Sequence, residues 1–138
     1  MELVNINNVE NITSIGGGPI GAGWTAHFLA KGFKVTSYLH DATEKKIFMK
    51  LIKTAWISLE KLGLSKQASL SNLIITNSLE KAVFKTDFVQ ESAPEVLELK
   101  QKGHIYIFKD KKIKILFDTR NQISPFLKFL FSFKFFKS

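Results

Sequence analysis

The stretch that decides the fold, residues 12–24, reads Ile12-Thr13-Ser14-Ile15-Gly16-Gly17-Gly18-Pro19-Ile20-Gly21-Ala22-Gly23-Trp24. A short apolar run leads into Gly-x-Gly-x-x-Gly at Gly16, Gly18 and Gly21, and a helical pattern follows at once. This order of strand, tight turn and helix is typical of a dinucleotide-binding unit. We expect Gly16 to turn the chain, Gly18 to clear space for a pyrophosphate, and Gly21 to let the helix approach the strand.

Other residues of the turn are candidates for the same site. Gly17, Pro19 and Ile20 line the predicted phosphate loop, although Pro19 has no N–H to donate. The helix that follows would offer unpaired N–H groups and a partial positive charge to the phosphates. The turn therefore predicts a binding site for a nucleotide pyrophosphate.

Strand and helix patterns alternate after this turn. Strands are predicted at residues 12–15, 33–39, 73–76 and 87–90, and helices at 21–31, from a capping box at 41–44 to Leu62, at 79–83, and from Pro94 onward. The long helix should bury one apolar face, formed by Phe48, Leu51, Ile52, Ala55, Leu59 and Leu62. The alternation predicts an α/β fold, a Rossmann-type doubly wound parallel sheet.

The composition divides the chain near Lys100. The 138 residues carry a net charge of +8, of which +7 lies in residues 101–138, together with 8 of the 13 Phe. Residues 1–100 form the predicted dinucleotide-binding core, and residues 101–138 a basic, Phe-rich divergent tail with a fifth strand expected at 113–117. This asymmetry needs its own explanation.

Several classes of protein and site are not expected. The chain has no cysteine, which excludes disulfides and thiolate metal sites and is compatible with the cytoplasm. Neither a signal peptide nor a transmembrane segment is expected. The three histidines lack ligand spacing, so no metal site is predicted. Both tryptophans, Trp24 and Trp56, are expected in the core or in packing between helix and sheet.

Three blocks together resemble a known family. The glycine turn, the segment from Ala55-Trp56 to Leu64, and Phe88-Val89-Gln90-Glu91-Ser92-Ala93-Pro94-Glu95 resemble the NAD-binding domain of the 3-hydroxyacyl-CoA dehydrogenase family. Within that family, the second and third blocks look most like its carnitine-oxidising branch. The resemblance covers residues 12–100 and implies NAD as cofactor, with hydride transfer from a carbon that bears a 3-hydroxyl group, as in the oxidation of L-carnitine to 3-dehydrocarnitine.

The resemblance also implies cofactor contacts. Glu95 and Lys100 match residues that bind the nicotinamide end of NAD; alternatively, Glu95 complements the helix dipole and Lys100 is a solvated helix residue. The family's ribose-binding acid falls at Leu39 here. Asp41 is the nearest substitute, but it is also the natural N-cap of the next helix. No arginine lies nearby, so NADP is not favoured.

No residue is named as catalytic. The family's catalytic His and helical domain would lie beyond Ser138, so we expect a truncated, catalytically incomplete dehydrogenase that needs a helical domain to take a small 3-hydroxy substrate, and a homo-oligomer is possible. One alternative is a non-catalytic NAD(H)-binding module. Another is a protein whose basic tail contacts a membrane or nucleic acid, although no specific nucleic-acid motif is present.

Overall fold

The computed structural model describes residues 6–92 and 116–118. It contains five strands: β1 (Asn11–Ile15), β2 (Lys34–Tyr38), β3 (Leu73–Thr76), β4 (Phe88–Glu91) and β5 (Leu116–Asp118). They form one sheet in the order β3-β2-β1-β4-β5, and every neighbouring pair is parallel. β1 therefore lies at the centre, and the strand order reverses beside it.

Helices cover both faces of this sheet. They are α1 (Pro19–Ala30), α2 (Lys45–Leu62) and α3 (Leu79–Val83). Thr13 of β1 donates from its Oγ1 to the carbonyl oxygen of Ala82 in α3, at 2.5 Å. On the opposite face, Oγ1 of Thr25 in α1 lies 3.2 Å from Oγ of Ser37 in β2. The doubly wound Rossmann-type sheet predicted from the sequence is thus confirmed.

The core between α1, α2 and the sheet is built from small and large apolar residues that interlock. Ala22 and Ala26 of α1 face Phe48 and Ile52 of α2, and Leu39 closes the cluster. Because the side chains on α1 are small, the two helices lie close together. The larger side chains of α2 fill the remaining space between them. Burial of Phe48 and Ile52 gives α2 its fixed orientation on the sheet.

The predicted apolar face of α2 is correct except at its end. Leu51, Ala55 and Leu59 are partly buried against the core cluster, as their spacing predicted. Leu62, however, is 84% exposed, because it is the last residue of α2 and Gly63 turns the chain away with φ +102°. The last turn of the helix thus extends beyond the surface that it covers.

The amino end of β1 is fixed by a carboxylate from a distant part of the chain. Oδ2 of Asp87 accepts hydrogen bonds from the backbone N–H groups of Glu10 and Asn11, each at 3.0 Å. The N–H of Asp87 in turn donates to the carbonyl oxygen of Asn11 at 2.8 Å. These bonds hold the amino ends of β1 and β4 together in the register that the two strands adopt.

Most predicted elements are found within a few residues of their expected limits. β3 and α3 match exactly, and the side chain of Ser78 caps α3 as predicted. The fifth strand, expected at 113–117, is described at Leu116–Asp118. The helix expected from Pro94 and the rest of the tail lie outside the described residues.

Candidate functional site

The glycine turn lies at the carboxyl edge of the sheet, where β1 is held by both neighbours. The N–H of Gly16 donates to the carbonyl oxygen of Tyr38 at the end of β2 (3.2 Å), and the N–H of Ser92, after β4, donates to that of Ile15 (2.7 Å). Gly16 has φ +121°, a conformation that favours glycine. This is the crevice outside the strand ends where open α/β sheets bind ligands, at a change in strand order.

Close packing of α1 on this turn depends on Gly21. A Cβ at position 21 would overlap the carbonyl oxygen of Gly16, which is backbone and cannot rotate away. Gly21 is therefore needed for the close approach of helix and strand that the fingerprint predicts.

The amino end of α1 is open to a ligand. Its N-cap is Gly18, which supplies no side-chain hydrogen bond, and Pro19 occupies the first turn. The N–H groups of a helix's first turn have no acceptor within the helix, so they attract an anion. A Cβ at Gly18 would meet no atom of another described residue within 4 Å, so residues 6–92 and 116–118 leave this space open.

Gly17 lies on the wall of the turn that faces Glu44 and Leu39. A Cβ there would lie 2.5 Å from Oε2 of Glu44 and 2.9 Å from Cδ2 of Leu39. The absence of a side chain at Gly17 thus leaves room for the Glu44 carboxylate. The capping-box pattern at residues 41–44 does not indicate this contact, because the proximity of Glu44 to the turn depends on the tertiary fold.

Asp41 stands at the start of the connection from β2 to α2. Its Oδ1 accepts the N–H of Thr43 at 2.8 Å, and it is the N-cap of a 3-10 turn at Ala42–Glu44. This hydrogen bond lowers the pKa of Asp41 below its ordinary value. The structure therefore shows the capping role of Asp41, with the 3-10 turn placed between it and the start of α2.

Tyr38 and His40 flank the same corner. The hydroxyl of Tyr38 lies 3.4 Å from Nδ1 of His40. Burial raises the pKa of the Tyr38 hydroxyl, and the negative charge of Glu44 raises it further. A carboxylate, a hydroxyl and an imidazole are therefore grouped at the end of β2.

A shallow surface concavity adjoins the first turns of α1. It is lined by Pro19, Ile20, Gly23, Trp24 and His27. The Trp24 ring is 38% exposed and stacks on Phe28 with ring centroids 5.5 Å apart. The expectation that Trp24 packs in the interior is therefore wrong, because its position on α1 points away from the sheet.

Two further predicted contacts, Glu95 and Lys100, lie outside the described residues. In the described part, no three His, Asp or Glu residues are arranged to hold a metal ion. No helix among the same residues combines the length and apolarity needed to cross a membrane.

Residues 11–118 match the family described as 3-hydroxyacyl-CoA dehydrogenase, NAD binding domain. The L-carnitine dehydrogenase of Streptomyces coelicolor is 45% identical over 99 residues, which are 72% of this chain and 31% of that protein. The L-carnitine dehydrogenase of Oceanobacillus iheyensis is 40% identical over 92 residues, 67% of this chain and 30% of that protein. The chain thus spans about a third of the length of the curated relatives it matches.

Solved structures give the same fold. The 3-hydroxybutyryl-CoA dehydrogenase of Escherichia coli K12 superposes with a TM-score of 0.61 and 25% identity, over 79% of this chain and 24% of that chain. An NAD⁺-dependent 5-formyl-3-hydroxy-2-methylpyridine 4-carboxylic acid 5-dehydrogenase superposes with a TM-score of 0.65 and 25% identity, over 78% of this chain and 36% of that chain. Together with the glycine turn at the strand-order reversal, these matches show that the chain belongs to the 3-hydroxyacyl-CoA dehydrogenase family, as its NAD-binding domain.

Proposed function

We propose that the chain binds NAD(H) with its pyrophosphate on the turn formed by Gly16, Gly17, Gly18, Pro19, Ile20 and Gly21. The observation that carries this proposal is the combination of an uncapped α1 amino end with empty space at Gly18. The N–H groups of the first turn bind the phosphate oxygens, and the helix dipole adds to the attraction. The family match supplies the identity of the nucleotide.

The nicotinamide half of the cofactor would reach the segment after β4. We assign Glu95 and Lys100 to it on the likeness of residues 88–95 to the family. Asp41 remains a candidate for the adenine ribose, with one of its oxygens already engaged by Thr43.

The reaction we assign to the complete protein is NAD-dependent oxidation of a 3-hydroxy substrate, with L-carnitine as the first candidate. Support comes from relatives at 34–46% identity that are L-carnitine dehydrogenases. NAD supplies the hydride acceptor, and the protein aligns it with the carbon to be oxidised. We propose that these 138 residues alone bind the cofactor without turnover, because the sequence offers no residue that can be named as a general base with a stated reason.

A pair of glycine variants tests the binding site. In Gly18→Ala, the new methyl group meets no atom within 4 Å in the described part of the chain and φ is −78°, so stability should change little. The methyl group occupies the space of the pyrophosphate, so we expect the Kd for NADH to rise about tenfold or more, equivalent to about 1.4 kcal/mol. Isothermal titration calorimetry measures the Kd, and circular dichroism confirms the fold.

Gly23→Ala is the matched control. It adds the same methyl group to the same helix, again where no other described residue beyond the helix's own backbone comes within 4 Å, but beyond the phosphate turn. Equal NADH affinity in Gly18→Ala and the wild type would refute the assignment of the turn, and no NADH binding by the wild type would refute the function itself.

Turnover is measured separately with NAD and L-carnitine, by following NADH absorbance. The expected result for the 138-residue chain is cofactor binding without NADH formation. Formation of NADH at a rate proportional to protein concentration would instead show that the chain contains a complete catalytic site.

A further inference from the structure

The position at which the fingerprint expects a ribose-binding acid is occupied by the core. Leu39 follows β2 directly and is 1% exposed. It packs with Ala22, Ala26, Phe48 and Ile52, and its N–H donates to the carbonyl oxygen of Thr76 at 3.0 Å. A carboxylate there would be buried among apolar side chains, so the residue that binds ribose must come from elsewhere in this chain.

Glu44 brings a carboxylate to the same wall of the turn. The 3-10 turn after Asp41 reverses the chain, with the N–H of Glu44 donating to the carbonyl oxygen of Asp41 at 3.1 Å. The Oε2 atom of Glu44 then lies within 2.5 Å of where a Cβ of Gly17 would be, beside Cδ2 of Leu39. Glu44 therefore occupies space next to the position where the sequence pattern alone would place the acid.

The state of this carboxylate suits hydrogen bonding to a ligand. Glu44 is exposed, and among residues 6–92 and 116–118 neither of its oxygens accepts a hydrogen bond or joins an ion pair. Asp41, in contrast, uses Oδ1 to cap its own turn. Glu44 thus has both oxygens available to two adjacent hydroxyl groups, and Asp41 has one.

We propose that Glu44 accepts the hydrogen bonds of the adenine-ribose hydroxyls and selects NAD over NADP; this rests on the proposed binding of NAD at the glycine turn. A carboxylate beside the ribose repels the 2′-phosphate of NADP, since like charges at close range disfavour each other. The chain's single arginine is Arg120, in a segment remote in sequence from this corner. The charge of Glu44 at this corner therefore favours NAD over NADP.

The test compares Glu44→Gln with two other carboxylates changed in the same way. Glu44→Gln keeps the size of the side chain but removes its charge. Hydrogen bonds to a charged group contribute enough that we expect the Kd for NADH to rise roughly ten- to a hundredfold. The Kd for NADPH should change less or fall, so the preference for NADH narrows.

Glu60→Gln is the control, because Glu60 is exposed near the far end of α2, about 24 Å along the helix axis from Glu44. It removes the same charge and should leave both Kd values unchanged. Asp41→Asn decides between the two candidates for the ribose contact. Circular dichroism on every variant separates lost binding from lost folding.

The outcomes distinguish this proposal from the function on which it rests. NADH binding by the wild type that is unchanged in Glu44→Gln would overturn the role of Glu44 alone. Weakening in Asp41→Asn without weakening in Glu44→Gln would give the role to Asp41. Absence of NADH binding by the wild type would refute both the role of Glu44 and the glycine-turn site.

Discussion

Replacing Gly21 by alanine tests whether helix α1 rests on the glycine turn as the structure shows. The new Cβ would overlap the carbonyl oxygen of Gly16. Because that atom belongs to the backbone of the turn, α1 must move away from β1, or Gly16 must change its φ. Overpacking of this kind costs about 1–3 kcal/mol, although alanine is the better helix former.

Gly23→Ala is the control that shows how much of the change in the free energy of unfolding at position 21 is steric. Gly23 is exposed and lies in the same helix, and a Cβ there would meet nothing within 4 Å from the other elements that the structure describes. The substitution should therefore stabilise the protein by about 0.5–1 kcal/mol, because glycine is a poor residue inside a helix. The same methyl group added two residues apart is expected to act in opposite directions.

Urea unfolding followed by circular dichroism measures both variants without any ligand. Because the gain in helix propensity is common to both variants, we expect their free energies of unfolding to differ by the overpacking cost, about 1–3 kcal/mol, with the m-value unchanged. Equal stability of Gly21→Ala and Gly23→Ala would refute the close approach of α1 to Gly16.

Three further predictions concern the strand ends and the core. Leu39→Asp should lower the free energy of unfolding in urea by about 3–5 kcal/mol, since it buries an unpaired charge; unchanged stability with tighter NADH binding would contradict this placement. In an absorbance titration assigned with Tyr38→Phe, Glu44→Gln should lower the pKa of the Tyr38 hydroxyl. The pKa of the Tyr38 hydroxyl is raised above 10.0 in the fold, so the contribution of the protonated hydroxyl to stability is complete below about pH 10. That contribution is lost as the pH rises through the folded-state pKa. Ser14→Ala should not destabilise the chain, because the buried Ser14 hydroxyl has no hydrogen-bond partner among the described residues, whereas Thr13→Val should cost about 1 kcal/mol by removing its bond to α3. Thermal unfolding of the two variants measures this contrast.

Local sequence signals were sufficient for most of the fold. The glycine turn predicted β1 and α1 because Gly16 has a positive φ and Gly21 leaves no room for a Cβ against the turn. Ser78 caps the start of α3 and Gly63 ends α2, in each case through interactions within a few residues. Such short-range effects can be predicted from a single sequence.

The missed features depend on tertiary distances. Leu62 has the spacing of a core residue, but the surface under α2 ends before it. Glu44 reads as the last residue of a capping box, and only the path of the 3-10 turn brings its carboxylate to Gly17. A signal was available in principle, since Glu44 is the next carboxylate after Asp41 in a chain with leucine at position 39.

The central position of β1 has a consequence for the order in which the protein forms. β2 follows β1 closely along the chain, but the second neighbour of β1 comes much later, with Ile12 opposite Phe88. Ribosomes add about 5–20 residues each second, so one edge of β1 is without its partner for several seconds during synthesis. An unpaired strand edge invites pairing with other chains. The N–H of Ser92 that fastens the end of β1 also arrives last, so a nascent chain can acquire a fixed phosphate turn only after Ser92 has emerged.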